Sequence, residues 1–433
     1  MKPVKVGICG LGTVGGGTFN VLQRNAAEIA RRAGRQIVIE QIAMRRPNPA
    51  YDTKGVQVTD DIFAVATNPE IDIVIELIGG YDVAFKLVMT AIENGKHVVT
   101  ANKALIAVHG NEIFAAAQEK NVMVAFEASV AGGIPIIKAI REGLSANKIN
   151  WLAGIINGTG NFIMSEMREK GRDFDDVLAE AQALGYAEAD PSFDVEGIDA
   201  AHKLTILASI AFGIPLQFDK AYTEGISRVT SEDVKYAEEL GYRIKHLGIS
   251  RRTAQGIELR VHPTMIPQEA LIANVNGVMN AILVDGDAVG QTLYYGPGAG
   301  AEPTASAVVA DVIDVVRTLT ADRDNRVPHL AFQPGELSDA EILPVDQIET
   351  GYYLRIQAAE RPGVLAHITR ILGDKGINIE AITQKQTEAD QVPVIMLTQR
   401  VKEEVMNQAI REIQALPDII GEIVRIRVEH LGQ

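Results

Sequence analysis

The feature that most constrains this chain is a glycine pattern lying between a short apolar segment and a helical one. Val4–Cys9 is apolar and predicts a strand. It is followed by Gly10, Gly12 and Gly15 at the spacing G-x-G-x-x-G, and then by a helix-compatible stretch. In this context the glycines allow a tight turn and let backbone amides approach a pyrophosphate at the helix N-terminus. A glycine-rich turn without a ligand is the alternative, but the order of elements favours dinucleotide binding.

Further strands alternate with helical segments over the first 130 residues. They are predicted at Ile37–Met44, Ile71–Ile78, Lys96–Thr100 and Val122–Phe126. Alternation of this kind is typical of a parallel, doubly wound α/β sheet. The almost uniformly apolar run IDIVIELI fits a strand that is covered on both faces. The sequence therefore predicts an N-terminal Rossmann domain.

The remaining chain predicts two more folded regions. The length of 433 residues favours about three domains. We expect the Rossmann domain to span 1–130 and to be completed by a helix near 302–320, with an α+β catalytic and dimerisation domain over 131–320. Residues 321–350, rich in Asp, Arg, Pro and Gly, predict a linker. Residues 351–433 have the order βαββαβ, which is that of ferredoxin-like modules.

Charge and composition narrow the classes of partner. Lys and Arg total 41 against 56 Asp and Glu, a net charge of −15, which disfavours nucleic acid or a membrane surface as the main partner. The sequence has no apolar run of about 18 residues and no targeting segment, so a soluble, cytoplasmic protein is expected. The single cysteine, Cys9, excludes an intramolecular disulfide or a cysteine-rich metal site.

Two arginines follow the second predicted strand, where an NAD-selective site usually carries an acid. Arg45 and Arg46 suit a 2′-phosphate, both by charge and by forked hydrogen bonding. A solvated basic turn is the alternative. NADP(H) is therefore the expected cofactor, with NAD(H) still possible.

Candidate catalytic residues lie in two segments. Lys103 follows a predicted strand end, where ligands bind in open α/β sheets, although a surface lysine there is equally compatible with the sequence. Asp199 and Lys203 are four residues apart on one predicted helix, so their side chains can pair. Such a pair is often only a weak surface salt bridge, but the apolar sequence LTILASIAFG that follows indicates a buried helix, where charges need a partner.

Several stretches together resemble the homoserine dehydrogenases of the long form that carries a C-terminal ACT domain. They include GLGTVG at 10–15, VTANKALIA at 99–107 and GYAEADPSFDVEGIDAAHK at 185–203. In the tail, ERPGVL at 360–365 and GINIE at 376–380 resemble an ACT domain. The resemblance extends over residues 4–433, and the stretch 185–203 is its most specific part.

The resemblance implies reversible reduction of L-aspartate 4-semialdehyde to L-homoserine with NAD(P)H, in threonine, methionine and isoleucine biosynthesis. It implies Lys203 as the proton donor, Glu188 and Asp199 as residues that hold the amino acid, and Lys103 at the junction of substrate and nicotinamide. Around the cofactor it implies Leu11, Gly12, Thr13, Val14, Gly185 and Gly300, beside Gly10, Gly15, Arg45, Arg46 and Lys103.

The resemblance also implies a monovalent-cation site, usually for sodium, and a regulatory tail. The cation would be held by backbone carbonyls of Glu127, Val130, Gly132 and Ile134. The ACT domain implies feedback control by L-threonine, with Asn378 as the regulatory residue, and the family implies a homodimer or homotetramer. A purely structural or dimerising tail is the alternative. Because the linker looks loose, we expect a chain ending near Asp346 to stay folded and active but to lose its threonine response.

Two other functions remain open from the sequence. One is a different NAD(P)-dependent dehydrogenase with an ACT tail, such as an enzyme acting on a 2-hydroxy acid. Those enzymes usually depend on a His/Glu/Arg set that this chain does not present in a comparable context. The other is a nucleotide-sensing regulator that has lost catalysis, which the presence of Lys203, Glu188 and Asp199 argues against.

Overall fold

A computed structural model of the chain describes residues 2–319, 326–385 and 391–432. They form two compact units, described separately below. Unit 1 comprises Met1–Gly158, Asp199–Ala221 and Val278–Ala340, and unit 2 comprises Thr159–Ile198, Tyr222–Gly277 and Glu341–Gln433. Within the described residues, no helix is both long enough and apolar enough to span a bilayer.

The helices and strands alternate along most of the chain. The strands are β1 Val4–Cys9, β2 Ile37–Ala43, β3 Gln57–Thr59, β4 Ile73–Glu76, β5 His97–Thr100, β6 Val124–Ala125, β7 Ile149–Ile155, β8 Tyr222–Thr223, β9 Tyr242–Arg252, β10 Ile257–Pro267, β11 Met279–Gly286, β12 Gly290–Pro297, β13 Glu349–Ala359, β14 Ile379–Gln384, β15 Gln391–Lys402 and β16 Val424–Val428. The helices are α1 Thr13–Arg24, α2 Ala26–Ala33, α3 Ile62–Thr67, α4 Asp82–Glu93, α5 Lys103–Glu119, α6 Ile136–Lys138, α7 Gly158–Lys170, α8 Phe174–Ala183, α9 Ser192–Val195, α10 Ile198–Phe212, α11 Ser231–Glu239, α12 Ala301–Thr318, α13 Val364–Asp374 and α14 Glu403–Gln414.

Unit 1 is built around a six-stranded parallel sheet with the order β3-β2-β1-β4-β5-β6. The predicted doubly wound sheet is therefore confirmed. The strand order reverses direction beside β1, which is the switch point where ligands bind in folds of this type. The short strand β3 was not predicted.

The core of this sheet includes a helix from far along the chain. Val308 and Val312 of α12 belong to the same buried cluster as Val6 of β1 and Phe19 of α1. The backbones of α1 and α12 approach so closely that a Cβ on Gly17 would lie 2.3 Å from the carbonyl oxygen of Ala301. A glycine is therefore required at this contact.

A second, antiparallel group of strands completes unit 1. Strand β11 pairs with β7 on one side and with β12 on the other. Helix α10 is buried along almost its whole length, as its apolar sequence predicts. Its burial matters for the site, because it carries two of the candidate catalytic residues.

Unit 2 contains a sheet to which the C-terminal module contributes directly. The 11-residue strands β9 and β10 form an antiparallel pair, and β8 and β16 both pair with β10 in parallel. Strand β13 pairs with β16 and β15, and β15 with β14. The predicted order βαββαβ is confirmed by β13-α13-β14-β15-α14-β16.

The C-terminal module is not loosely attached within unit 2. Thr264 and Met265 of β10 pair with Arg427 and Val428 of β16, and Met265 shares a buried apolar cluster with Tyr353. The loose attachment that the composition of the linker indicates is therefore wrong. Of the predicted linker, residues 321–325 lie outside the described residues.

Candidate active site

The glycine turn after β1 leaves open space directly in front of α1. Gly10 has φ +100°, and a Cβ there would lie 2.7 Å from the carbonyl oxygen of Leu77. A Cβ on Gly15 would lie 1.9 Å from the carbonyl oxygen of Gly10, so packing alone requires both glycines. Around Gly12, by contrast, a Cβ would meet no described heavy atom within 4 Å. Gly12 thus leaves room for a ligand.

The N-terminus of α1 is suited to a phosphate group. Gly12 is its N-cap, no side chain caps it, and its first turn, which includes Thr13 and Val14, contains no acidic residue. The free N–H groups and the positive end of the helix dipole both favour an anion at this position. These features fit the pyrophosphate of a dinucleotide cofactor.

The loop after β2 is attached to the glycine turn. Asn48 donates from Nδ2 to the carbonyl oxygen of Leu11 at 3.0 Å. Arg45 and Arg46 precede it and are both exposed. Sequence analysis did not identify Asn48, since nothing in its local pattern indicates a bond to a segment 37 positions away.

Lys103, Asp199 and Lys203 come together in one cluster in unit 1. Nζ of Lys103 lies 2.9 Å from Oδ1 of Asp199. Lys203 donates from Nζ to Oδ2 of Asp199 at 2.6 Å and to the carbonyl oxygen of Ile156 at 2.8 Å. Asn157, which sequence analysis did not single out, donates from Nδ2 to Oδ2 of Asp199 at 2.8 Å. One carboxylate therefore holds two ammonium groups.

Asp199 is ionised in the folded protein. Its side chain is only 4% exposed, and burial by itself raises the pKa of a carboxyl group. The ammonium groups of Lys203 and Lys103 outweigh burial, so the pKa of Asp199 lies well below its usual range. The Asp199–Lys203 pair is thus unlike an exposed helix salt bridge, because both side chains are largely buried.

The two lysines differ in accessibility. The Lys203 side chain is 11% exposed and the Lys103 side chain 32% exposed. Lys103 is therefore the more accessible of the two lysines. This combination of a buried anion with two partly accessible cations can bind an anionic or carbonyl oxygen and supply a proton to it.

His202, the neighbour of Lys203, is uncharged near neutral pH. Its Nε2 lies 3.4 Å from the Tyr81 hydroxyl oxygen, and its ring stacks on Phe218 with the ring centroids 4.0 Å apart. Burial is the main reason that its pKa is lowered to about 4. The residue therefore adds no positive charge beside the lysines.

The other predicted site residues are on different elements of the chain. Gly300, with φ +125°, is the N-cap of α12 in unit 1. Gly185, with φ +76°, and Glu188 follow α8 in unit 2, where Glu188 is exposed and its carbonyl oxygen accepts from Nε2 of Gln182 at 3.0 Å.

The predicted cation-binding segment is a buried, tightly bent loop. Ala131 and Gly132 have φ of +54° and +39°. Val130 is fully buried, and no described residue donates a hydrogen bond to the carbonyl oxygen of Val130 or Gly132. The carbonyl oxygens of Glu127 and Ile134 accept from Val130 N at 3.4 Å and from Ile136 N at 2.8 Å, respectively. Two unpartnered buried carbonyls fit a cation held by backbone oxygens.

Side chains do not form a metal site in the described part of the chain: no group of three or more His, Cys, Asp or Glu residues is arranged to hold an ion. The Glu127 carboxylate instead accepts from the backbone N–H groups of Ile137 and Lys138, both at 2.9 Å. Burial, followed by the nearby Asp311, raises the pKa of Glu127 to about 7.

The C-terminal module has a cavity at the N-terminus of α13. Its volume is about 290 Å³, and its lining residues are Ala358, Ala359, Glu360, Arg361, Pro362, Val364, Leu365, Gln384, Val392 and Val394. Asn378 lies before β14, at the opposite end of that strand from Gln384, and donates from Nδ2 to Oε1 of Gln399 at 3.2 Å. Within one chain, Asn378 is therefore not among the residues lining this cavity.

Comparison with protein families covers each part of the chain. Residues 10–127 match the model for the homoserine dehydrogenase NAD-binding domain, residues 135–313 match homoserine dehydrogenase, and residues 352–418 match the ACT domain. The chain is 74% identical to the homoserine dehydrogenase of Pseudomonas aeruginosa, with both chains covered completely.

Solved structures support the same assignment. A homoserine dehydrogenase from Thiobacillus denitrificans is 66% identical and superposes with a TM-score of 0.96, covering 100% of this chain and 99% of that one. A hyperthermophilic archaeal homoserine dehydrogenase in complex with NADPH is 26% identical, with a TM-score of 0.62 over 72% of this chain and 98% of that one. This chain belongs to the homoserine dehydrogenases, NAD(P)-dependent oxidoreductases, and carries an NAD-binding domain, a catalytic domain and a C-terminal ACT domain.

Proposed function

We propose that the chain catalyses the reversible, NAD(P)H-dependent reduction of L-aspartate 4-semialdehyde to L-homoserine, in threonine, methionine and isoleucine biosynthesis. The observation that carries this proposal is the buried Asp199 carboxylate between Lys103 and Lys203. Initial rates with L-homoserine and NADP⁺ or NAD⁺ test it. Turnover of a 2-hydroxy acid but not of homoserine, or no turnover with bound nucleotide, would contradict it. A cytoplasmic location belongs to the same proposal.

Lys203 is the proposed proton donor. A reduced nicotinamide, when bound, supplies the hydride, and negative charge then develops on the aldehyde oxygen. The ammonium group of Lys203 stabilises this charge and donates its proton to the oxygen. Asp199 holds the Nζ atom of Lys203 in place and, being ionised, favours the protonated lysine.

Substrate binding is assigned to Lys103, Asp199 and Glu188. The side chain of Lys103 is partly exposed, and its positive charge can bind the substrate carboxylate or lie where the substrate meets the nicotinamide. Glu188 is exposed and offers a carboxylate for the ammonium group of the amino acid. The proposed cofactor contacts are those named from the sequence, including Gly185 and Gly300, and the open space around Gly12 supports them.

A preference for NADP(H) is expected to depend on the two arginines after β2. Replacing Arg45 and Arg46 together by alanine should weaken NADP⁺ binding at least about tenfold, because charge-assisted hydrogen bonds to the 2′-phosphate are lost. NAD⁺ lacks this phosphate, so its binding should change little. Titration of each cofactor against the variant measures the difference.

The control for this double variant is Arg31→Ala, which removes an exposed arginine of α2 that pairs with Glu28. It should leave the affinity for both cofactors as in the parent chain. If the double variant weakened NADP⁺ and NAD⁺ equally, the arginines would not be reading the 2′-phosphate.

Sodium or another monovalent cation is the proposed ligand of the loop at Glu127, Val130, Gly132 and Ile134. The proposal is supported by the unpartnered carbonyl oxygens of Val130 and Gly132. Carbonyl oxygens are hard, neutral ligands, which suit a hard cation of low charge. The cation would stabilise the bend at Ala131 and Gly132.

The proposal includes a homodimer or homotetramer. It also includes a division of the chain into a Rossmann domain (1–130, completed by 302–320), a catalytic domain (131–320), a linker (321–350) and an ACT domain (351–433). Strand β12, at the edge of its sheet, supports a subunit contact. Tyr295 in this strand is 58% exposed, and Val289, directly before it, is 51% exposed. An exposed sheet edge with large apolar side chains is a suitable surface for a second copy.

L-threonine is the proposed effector, bound by the ACT domain. The cavity of about 290 Å³ at the N-terminus of α13 supports a small amino acid as its ligand. Since Asn378 lies at the other end of β14, it can reach such a ligand only from a second ACT domain. Asn378→Ala is expected to raise the threonine concentration for half-inhibition about fivefold or more, through loss of hydrogen bonds.

The control for Asn378→Ala is a substitution elsewhere in the ACT domain that should not affect threonine binding. Arg370→Ala serves this purpose because Arg370 is exposed on α13. Its half-inhibiting concentration should equal that of the parent chain. An Asn378→Ala variant with an unchanged threonine response would remove this residue from the effector site.

A further inference from the structure

Glu76 is a buried carboxylate at the point where β4 ends. It is 0% exposed. Its Oε1 accepts from the backbone N–H groups of Ile78 at 2.9 Å and Gly79 at 3.1 Å, and its Oε2 accepts from the Thr100 hydroxyl at 2.6 Å. Burial raises the pKa of this carboxyl, and the hydrogen bonds that it accepts oppose that effect.

The hydrogen bonds of Glu76 continue to the start of α5. Thr100 ends β5, and its hydroxyl oxygen accepts from the backbone N–H of Asn102 at 3.0 Å. Asn102 caps α5 by accepting from Leu105 N at 3.1 Å, and its Nδ2 donates to the carbonyl oxygen of Gly80 at 2.7 Å. The loops that follow β4 and β5 are therefore fixed to each other, directly before Lys103.

We propose that Glu76 is a positioning residue for Lys103. It sets the N-terminal turn of α5 through Thr100 and Asn102, and so fixes where the Lys103 ammonium meets Asp199. This inference depends on the proposed catalytic role of the Lys103–Asp199–Lys203 cluster. It adds to that cluster a residue that does not itself contact substrate.

The chemistry of the bonds requires glutamate and not merely a buried side chain of that size. The N–H groups of Ile78 and Gly79 and the hydroxyl of Thr100 all donate to the carboxylate, and an ionised carboxylate is an acceptor only. In a Glu76→Gln variant, the amide NH₂ would face the Thr100 hydroxyl, whose oxygen already accepts from Asn102 N. The hydroxyl proton would then lose its acceptor, and the link to α5 would weaken.

The test measures kcat in a double-mutant cycle of Glu76→Gln and Lys103→Ala. A misplaced reactive group can cost about 10²-fold in rate, so Glu76→Gln alone should lower kcat by roughly tenfold to a hundredfold. In the Lys103→Ala background it should have little further effect, because the group that it positions is absent. Glu93→Gln, an exposed residue at the end of α4, is the control with unchanged kcat.

A second pair of variants covers the case in which Glu76→Gln does not fold. Thr100→Val keeps the shape of the side chain but removes the hydroxyl, and should lower kcat as Glu76→Gln does. Thr100→Ser retains the hydroxyl and should recover most of the lost rate. Melting curves recorded for each variant separate lost stability from lost positioning.

Each outcome decides the inference. Equal, multiplicative losses for Glu76→Gln with and without Lys103 would show a general structural role and overturn the proposal, as would equal rates for Thr100→Val and Thr100→Ser. If Lys103→Ala itself kept full turnover, the proposed catalytic role of Lys103 would be wrong. That outcome is distinguishable from a failure of the Glu76 inference alone, in which Lys103→Ala still lowers kcat.

Discussion

Replacing Lys203 by alanine is expected to lower kcat by about 10²–10⁴-fold, the usual contribution of a positioned general acid. Lys203 Nζ donates to Asp199 at 2.6 Å and to Ile156 O at 2.8 Å, so its ammonium group has a fixed position. Without it, charge on the substrate oxygen must be neutralised by solvent. Steady-state rates in both directions measure the loss.

The same variant should leave cofactor affinity almost unchanged, because the glycine turn at Gly10–Gly15 does not depend on Lys203. The fold should also persist, since Asp199 retains Lys103 and Asn157 as partners. Lys86→Ala, which removes an exposed lysine of α4, is the matched control and should keep the parent rate. Near-normal turnover in Lys203→Ala would remove this residue from the proton-donor role.

The sheet was predictable because its signals are local. The glycine spacing after Val4–Cys9 and the apolar runs of the later strands depend on neighbouring residues only. The short strand β3 was missed because three residues, Gln57–Thr59, are too few to show a period. Its pairing with β2 depends on a neighbour in space rather than on its own sequence.

Residues of the candidate site were predictable only where local spacing or the family resemblance identified them. Asp199 and Lys203 are paired by helical spacing alone. That Lys103 reaches the same carboxylate depends on the fold, and the sequence by itself left a surface lysine open. Glu76 ends β4 and Asn157 follows β7, each after an apolar stretch, so their polar character is visible in the sequence but their partners are not.

The attachment of the C-terminal module could not be predicted from composition. A stretch rich in Asp, Pro and Gly indicates a loop, but it does not reveal how strands on its two sides pair. In unit 2, Met265 of β10 lies beside Val428 of β16, although more than half of the module separates β16 from the loop. Long-range parallel pairing of this kind has no local signature.

A chain ending at Asp346 is expected to lose the folded state of unit 2. The cut removes Arg355, Arg427 and Glu429, which form ion pairs with Asp233, Glu224 and Arg260, respectively. Asp233 and Arg260 are fully buried, and Glu224 is partly exposed. Breaking one buried pair typically costs about 3–5 kcal/mol, against a total stability of about 5–15 kcal/mol for a domain. Arg260 keeps its ion pair with Glu258, whereas Asp233 loses Arg355 and Glu224 loses Arg427.

Apolar burial points in the same direction. Met265 is fully buried in a cluster with Tyr353, Ile395, Leu397, Ile426 and Val428, all of which the cut removes. The remaining face and the open edge of β10 would be exposed to solvent, which favours aggregation. We therefore expect low recovery of folded protein, rapid proteolysis and loss of turnover rather than an active, threonine-insensitive enzyme.

Circular dichroism melting, limited proteolysis and turnover of the truncated chain test this expectation. A chain ending at His430 is the matched control, because it keeps β16 and the Tyr242–His430 contact and should melt as the full chain does. Arg427→Met separates the ion pairs from the apolar face, since it leaves Glu224 and Glu403 without their buried guanidinium partner while retaining the strand. A truncated chain with the parent melting temperature and full, threonine-insensitive turnover would instead show that the module folds apart from β10, and that its pairing with β16 contributes little to the stability of the catalytic chain.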